Sequence, residues 1–189
     1  MSGRIQIGAG PFGSTTTWRL HQPGVGPRHG LVTGPPGSGR TTALTCMLIN
    51  ALHSRRCVIM PTAQSWDSRQ RSTWQTASPY ASEGATQASH LFRMLDRLIT
   101  TRLEAGGYQD PTFERPAVLV TIDDSEQLLS DRRIRTVAER LVGEGSAAGI
   151  GLIAVTAGEG IEHFGHNERL RTALMAGSRL TFVGTGSPQ

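Results

Sequence analysis

The stretch His29-Gly30-Leu31-Val32-Thr33-Gly34-Pro35-Pro36-Gly37-Ser38-Gly39-Arg40-Thr41-Thr42 decides the architecture of this chain. Residues 29–33 read as a buried strand, and the residues from about Gly39 onward open a helix expected to reach His53. Between strand and helix, Gly34 to Thr41 fits the phosphate-loop pattern GxxxxGK[ST] at every fixed position except one, where Arg40 stands for lysine. The pattern has a physical basis. Glycines let the backbone wrap closely around phosphate oxygens, and the first amides of the helix point into the resulting nest. Pro35 and Pro36 carry no N–H, so the donors must run from Gly37 through Ser38, Gly39, Arg40, Thr41 and Thr42, with Gly34 making the entry turn. Thr41 is placed to hold Mg²⁺. The competing reading is a glycine-rich turn without a ligand.

The same alternation of strand and helix continues outward. RIQIG (4–8) and TTTWRL (15–20) predict a short lead-in hairpin, and CVIM (57–60) a further strand. From Pro61 to Pro79 the chain is polar, rich in Ser, Gln and Trp, and is expected to be an irregular loop. Ala88, Leu91, Phe92, Leu95, Leu98 and Ile99 keep the three-and-four spacing of an amphipathic helix. AVLVTI (117–122) is a near-continuous apolar run ending at Asp123-Asp124, as a central parallel strand would. Ile134 to Val142 predicts a helix, 150–156 a buried strand, 167–176 a helix and 179–183 a last strand. Such an order implies right-handed crossovers and an α/β fold, a mostly parallel sheet with helices on both faces. One domain is expected over residues 1–189, with 1–28 as a β lead-in and 184–189 as a tail.

The chain's 189 residues suit one domain that buries roughly 70% of its unfolded surface. With 18% charged residues it lacks the charge density of a disordered chain. No run approaches the ~18 apolar residues of a membrane span, and MSGRIQIGAG has no apolar signal core. Cys46 and Cys57 make no disulfide framework, so a cytoplasmic, reducing setting fits, with no direct membrane insertion. All 19 basic residues are arginine, and none is lysine. Drift of the whole composition toward arginine is therefore one origin for Arg40. The net charge of +4 supports contact with a polyanion only weakly, because the arginines are scattered.

A phosphate loop alone binds; turnover also needs carboxylates. Asp123 and Asp124 close the 117–122 strand, at the end of a sheet where ligands sit, and Asp123 is the residue expected to orient Mg²⁺. A plain helix-capping or loop pair is the alternative. Arg40 keeps the charge of lysine, yet it is wider, planar and forked.

Taken together, RIQIG followed by TTTWRLHQPGVGPRHGLVTGPPGSGRTTAL, then AVLVTIDDSEQLL, EGSAAGIGLIAVTAGE and NERLRTALMAGSRLTFVG resemble the FtsK/SpoIIIE family of RecA-like ATPases, nearly end to end. The ATPase modules of type VII secretion and conjugative translocases are similar too. The resemblance implies a RecA-like fold, ATP and Mg²⁺ as ligands, and double-stranded DNA as a partner. It also implies assembly as a ring of identical subunits or with related ATPases, and membrane association only through partners. It places the 150–156 strand between the phosphate-loop strand and the Asp123 strand, so that Thr156 faces the terminal phosphate. It also makes Asp124 the water-activating residue, where the family has glutamate. Aspartate is one methylene shorter, and a shortfall of about 1 Å can cost about 100-fold in rate. Ala157 stands where a sensor glutamine is usual, with Gly158-Glu159 in place of Arg-Pro. Arg171 and Arg179 are the positions for an arginine finger reaching a neighbouring subunit, or else ordinary surface charges. The family's membrane anchor and C-terminal DNA-reading domain are not expected in this chain.

Two functions follow from this reading. One is an ATP-binding DNA-translocase-like ATPase with weakened hydrolysis. The other is a non-hydrolysing nucleotide-binding module that docks partner ATPases of a DNA-transfer or type VII secretion complex. A nucleotide kinase is a third and weaker option, since no acceptor-binding or lid segment is recognisable. His163 and His166 are an isolated His-x-x-His, read as loop polarity rather than metal ligands. Trp66 and Trp74, interleaved with Arg69 and Arg71, either stack on nucleic-acid bases or pack on their own domain.

Overall fold

The computed structural model describes residues 3–9, 15–108 and 110–182. The expected tail at 184–189 and the tip of the lead-in hairpin lie outside these residues. Among the described residues the chain runs β1 (Arg4–Ala9), β2 (Thr15–Arg19), β3 (His21–Gln22), β4 (Gly26–Pro27), β5 (Gly30–Thr33), α1 (Arg40–His53), β6 (Cys57–Ala63) and α2 (Ser68–Ala77). It continues through β7 (Ser82–Glu83), α3 (Gly84–Glu104), β8 (Ala117–Asp123), α4 (Ser125–Ser130), α5 (Arg132–Glu144), β9 (Ile150–Thr156), α6 (Glu168–Met175) and β10 (Ser178–Thr181). A six-stranded sheet has the order β10-β5-β9-β8-β6-β7, and every neighbouring pair is parallel. As the resemblance implies, β9 lies between β5 and β8.

Period-two alternation divides the strands between two apolar layers. Val118, Val120 and Ile122 of β8 and Ile150, Leu152 and Ala154 of β9 face α3, α4, α5 and α6 through residues such as Phe92, Leu95, Leu128, Ala138 and Leu170. Leu119, Ile153 and Val155 face the opposite way, against Leu44, Met47 and Leu48 of α1. Every residue of β8 and β9 is buried, which is why both read as near-continuous apolar runs.

The lead-in hairpin pairs β1 with β2 and docks through Trp18. A Cβ on Gly30 would lie 2.2 Å from the Trp18 ring, so only glycine leaves room for this tryptophan against β5.

The expected loop over 61–79 is corrected by the structure. β6 continues to Ala63, and residues 68–77 form α2. A capping box starts this helix: the Gln70 N–H donates to Asp67 Oδ1 (2.8 Å), and the Asp67 N–H donates to Gln70 Oε1 (3.3 Å). The polar composition hid the helix because Trp74 is its one buried residue, too few to show a period. Trp66 and Trp74 are both buried beside α1, which overturns the base-stacking alternative. Arg71 is likewise committed. Its Nε and Nη2 donate to Glu83 at 2.6 and 2.7 Å, and Nη2 donates to the Trp66 carbonyl at 2.9 Å. The two Arg71 bonds to Glu83, with the Trp66 N–H that donates to its Oε1 (2.9 Å), hold the Glu83 carboxyl down to about 2.

His29, at the foot of β5, ties the sheet together. Its Nδ1 accepts from the Leu152 N–H of β9 (3.1 Å), so the ring is neutral with the proton on Nε2, 3.2 Å from Ser146 Oγ. Burial, reinforced by Arg28, lowers its pKa from 6.5 to about 4. The unfolded chain therefore binds a proton that the folded chain refuses, and the contribution to stability is complete above pH 6.5 and lost as pH falls toward 4. Denaturant unfolding at neutral pH and at pH 4.5 should show the native chain losing about 2 kcal/mol more than a His29→Asn variant, whose amide oxygen replaces Nδ1 as acceptor. Parallel pH curves for the two proteins would remove His29 from the account.

Candidate phosphate-binding site

β5 ends at Thr33, and the chain turns over Gly34-Pro35-Pro36-Gly37, closed by a hydrogen bond from the Ser38 N–H to the Pro35 carbonyl (3.2 Å). Gly39 then takes the left-handed conformation (φ 96°, ψ 11°) at the N-cap of α1, a backbone that disfavours any side chain. The first amides of α1 have no partner within the helix and face a pocket of about 230 Å³ lined by Gly37, Gly39, Arg40, Thr41 and Thr42. Gly34 is required by close approach: a Cβ there would lie 2.7 Å from Phe182 Cβ and 2.8 Å from Ser38 Oγ.

Two polar atoms of this loop, Ser38 Oγ and Arg40 Nη1, are buried and have no hydrogen-bond partner among the described residues. Orphaned buried polar groups are rare because each costs desolvation without return, and here both lie in one turn of a loop shaped for anions. The donor set, a row of amides plus one guanidinium, suits a phosphate chain.

β8 brings the two carboxylates to the same end of the sheet. Asp123 is buried and accepts from the Asp124 N–H (3.1 Å), while the Thr41 hydroxyl also supports its carboxylate. Burial first, then the neighbouring Asp124, pushes its pKa above the ordinary carboxylate value. A carboxylate so placed beside the Thr41 hydroxyl fits a divalent cation, and these two side chains would hold Mg²⁺. Asp124 departs from the capping alternative. It occupies the N-cap position of α4 in a left-handed conformation (φ 47°, ψ 61°), yet its side chain makes no capping hydrogen bond. Its Oδ1 lies 3.5 Å from Arg40 Nη2 instead.

Thr156 ends β9 beside Thr33 of β5 and is buried. Its hydroxyl donates to the Gly158 carbonyl at 2.6 Å, so its one proton is committed within the loop. Ala157 supplies no side-chain donor. The two finger positions converge on Glu159. Arg171 Nε donates to its carbonyl (2.7 Å), and Arg179 Nη2 donates to its carboxylate. Arg171 also pairs with Glu168 at 2.9 Å. Among the described residues neither arginine hydrogen-bonds the phosphate loop. His163 Nδ1 pairs with Glu126 at 3.0 Å, and among the described residues no group of three or more His, Cys, Asp or Glu side chains could hold a metal. Burial pushes the Cys57 thiol up to about 12, which keeps it inert.

Sequence reasoning missed two members of this surround. Phe182 packs on Gly34 and lies near Gly39, and Glu159 anchors both arginines. No local signal marks either, because the Phe182 packing and the Arg179 bond depend on β10 lying beside β5, and the Arg171 bond on α6 returning to the end of β9.

Comparison with known structures agrees with this geometry. The chain superposes on the conjugation coupling protein TcpA of pCW3, solved as a monomer with ATPγS, with a TM-score of 0.68 at 16% identity, covering 92% of this chain and 53% of that one. The Thermomonospora curvata EccC fragment holding ATPases 2 and 3, in complex with a signal sequence peptide, gives a TM-score of 0.66 at 18% identity, over 97% of this chain and 36% of that one. EssC ATPases 2 and 3 from Geobacillus thermodenitrificans give 0.68 at 13% identity, over 96% and 37%.

The chain has the fold of these ATPase domains, in keeping with its resemblance to FtsK/SpoIIIE-like phosphate-loop ATPases. The chain thus spans about half of the TcpA chain and little more than a third of the two secretion ATPase chains. No protein-family model matches the sequence, and no curated protein matches it. Among the described residues no helix is long and apolar enough to cross a membrane.

The loop geometry sets an expectation for stability and binding. Gly39→Ala strains the left-handed N-cap by roughly 1–2 kcal/mol. Affinity for polyphosphate should fall more steeply than the melting temperature, because the amide row is displaced. Calorimetry and thermal melting on the same preparation would show it, and an unchanged affinity would count against the loop as the binding element.

Proposed function

We propose that the chain is a nucleotide-binding ATPase module that takes ATP and ADP with Mg²⁺. The observation that carries this reading is the loop itself: free amides of Gly37, Gly39, Arg40, Thr41 and Thr42 around one pocket, with two unpaired buried polar atoms, Ser38 Oγ and Arg40 Nη1, in the same loop. The amides of Gly37, Ser38, Gly39, Arg40, Thr41 and Thr42 would cradle the phosphates, with Gly34 opening the turn. Thr41 and Asp123 would hold Mg²⁺, which when bound would supply charge neutralisation. In a hydrolytic cycle Asp124 orients the attacking water, and Thr156 secures the loop that faces the terminal phosphate. Such chemistry rests on positioning and charge stabilisation rather than on a covalent intermediate.

Turnover is expected to be weak. Asp124 is the shorter acid and lies beside Arg40, the Thr156 proton goes to Gly158, and Ala157 offers no hydrogen bond. These contacts equally favour a second reading, in which bound nucleotide fixes the shape of an assembly module and is not hydrolysed. Both readings place the chain in the cytoplasm, assembled either as a ring of its own copies or with related ATPases, and reaching a membrane only through them. The likeness to a conjugation coupling protein and to multi-ATPase secretion chains supports that setting. Contact with double-stranded DNA belongs to the translocase reading, with Arg171 or Arg179 serving a neighbouring subunit after leaving Glu159.

Titration with MgATP and MgADP should release measurable heat, and Asp123→Asn should remove most of the magnesium dependence while leaving phosphate binding. Silence at millimolar nucleotide would falsify the whole reading.

Steady-state hydrolysis with and without duplex DNA separates the two functions. A translocase speeds up with DNA, whereas an assembly module stays at background. The paired change Arg40→Lys with Asp124→Glu is expected to raise a translocase's rate by at least about tenfold, the scale on which misplacement by one methylene acts. No response would favour the assembly module.

A further inference from the structure

Arg40 and Asp124 deserve to be read as one unit, on the footing that the loop binds nucleotide. The Arg40 side chain is 11% exposed and that of Asp124 is 72% exposed, so the cation is enclosed in the loop and the anion comes to it from outside. Their contact is 3.5 Å, between Nη2 and Oδ1. Asp124 reaches it from a left-handed backbone that few residues other than glycine adopt. The usual reward for aspartate at an N-cap, a side-chain bond to the helix, is not taken. Its neighbour Asp123 is instead buried and accepts from the Asp124 N–H. The two adjacent carboxylates therefore differ in surroundings, one enclosed and one at the mouth of the loop.

We infer that Asp124 is a built-in anion that competes with the nucleotide's phosphates for Arg40 and so sets the affinity of the loop. A guanidinium is a planar fork, and the face paired with a carboxylate cannot at the same time serve a phosphate oxygen. Nη1, the buried arm without a partner, remains for the ligand, while Nη2 is contested. A lysine ammonium has no second arm to share in this way. The arginine and the short acid thus act together: the longer base meets the shorter carboxylate across the mouth of the loop. Nucleotide must break this pair before the terminal phosphate is fully held, and release of nucleotide restores it. Asp124 acts here as a positioning residue through Arg40.

A double-mutant cycle tests this, with inorganic tripolyphosphate and MgADP as probes and native chain, Asp124→Asn, Arg40→Gln and the double variant compared by calorimetry after thermal melts confirm folding. Asp124→Asn should bind tripolyphosphate roughly three- to tenfold more tightly than the native chain, the scale of one charged hydrogen bond released. In the Arg40→Gln background the gain should vanish. A gain that persists undiminished in that background means the carboxylate merely repels phosphate, and the competition is overturned. Native affinity equal to that of Asp124→Asn overturns it as well. A second readout is independent of binding: side-chain ¹⁵N spectra should show slow rotation of the Arg40 Nη groups in the native chain and faster rotation in Asp124→Asn, and identical spectra would refute the pairing. Native chain and variants that all ignore both probes at millimolar concentration would instead remove the nucleotide reading beneath the inference.

Discussion

The site rests on a single backbone constraint, the left-handed turn at Gly39 that lets the chain leave β5 and enter α1 within a few residues. A side chain there would cost strain, and a longer path would swing the first amides of α1 away from the pocket. Gly34 adds a second condition, since it lets Phe182 and Ser38 close on the loop from beneath. The loop is thus braced by β10, the strand farthest from it in sequence, and its shape depends on the assembled sheet as much as on its own glycines.

Electrostatics around that turn are divided among three charged side chains with different surroundings. Asp123 is buried, and its pKa is raised by burial and by its neighbour; a magnesium ion would offset both effects. Asp124 is mostly exposed and contributes to the site through Arg40. Arg40 is enclosed, with one arm contested and one unpaired. On the proposed reading, Asp124, the group that would organise water, already has Arg40 as a partner.

Beyond the loop, Glu159 links the end of β9 to α6 and β10 by accepting from Arg171 and Arg179. The Thr156 hydroxyl holds the same segment from the other side through Gly158. The segment that follows β9 at the ligand end of the sheet is therefore fastened at two points, and any movement of it would be felt at the sheet edge where β10 lies.

Much of this was legible in the residue order. The phosphate-loop spacing, the apolar run ending at Asp123-Asp124 and the three-and-four spacing from Ala88 to Ile99 are local patterns, and local patterns reflect local geometry. The helix at Ser68–Ala77 escaped notice because a single buried tryptophan makes no period, although Asp67 and Gln70 carried its cap. The pairing of Arg40 with Asp124 joins residues 84 positions apart, and it exists because β5 and β8, parallel strands on either side of β9, deliver their C-terminal ends to the same end of the sheet. Residue order alone sets which chemical groups each strand end carries. Which of them meet follows from the assembled fold, because strand order and loop closure are set by packing two apolar layers against one sheet, and no neighbouring residue records that outcome.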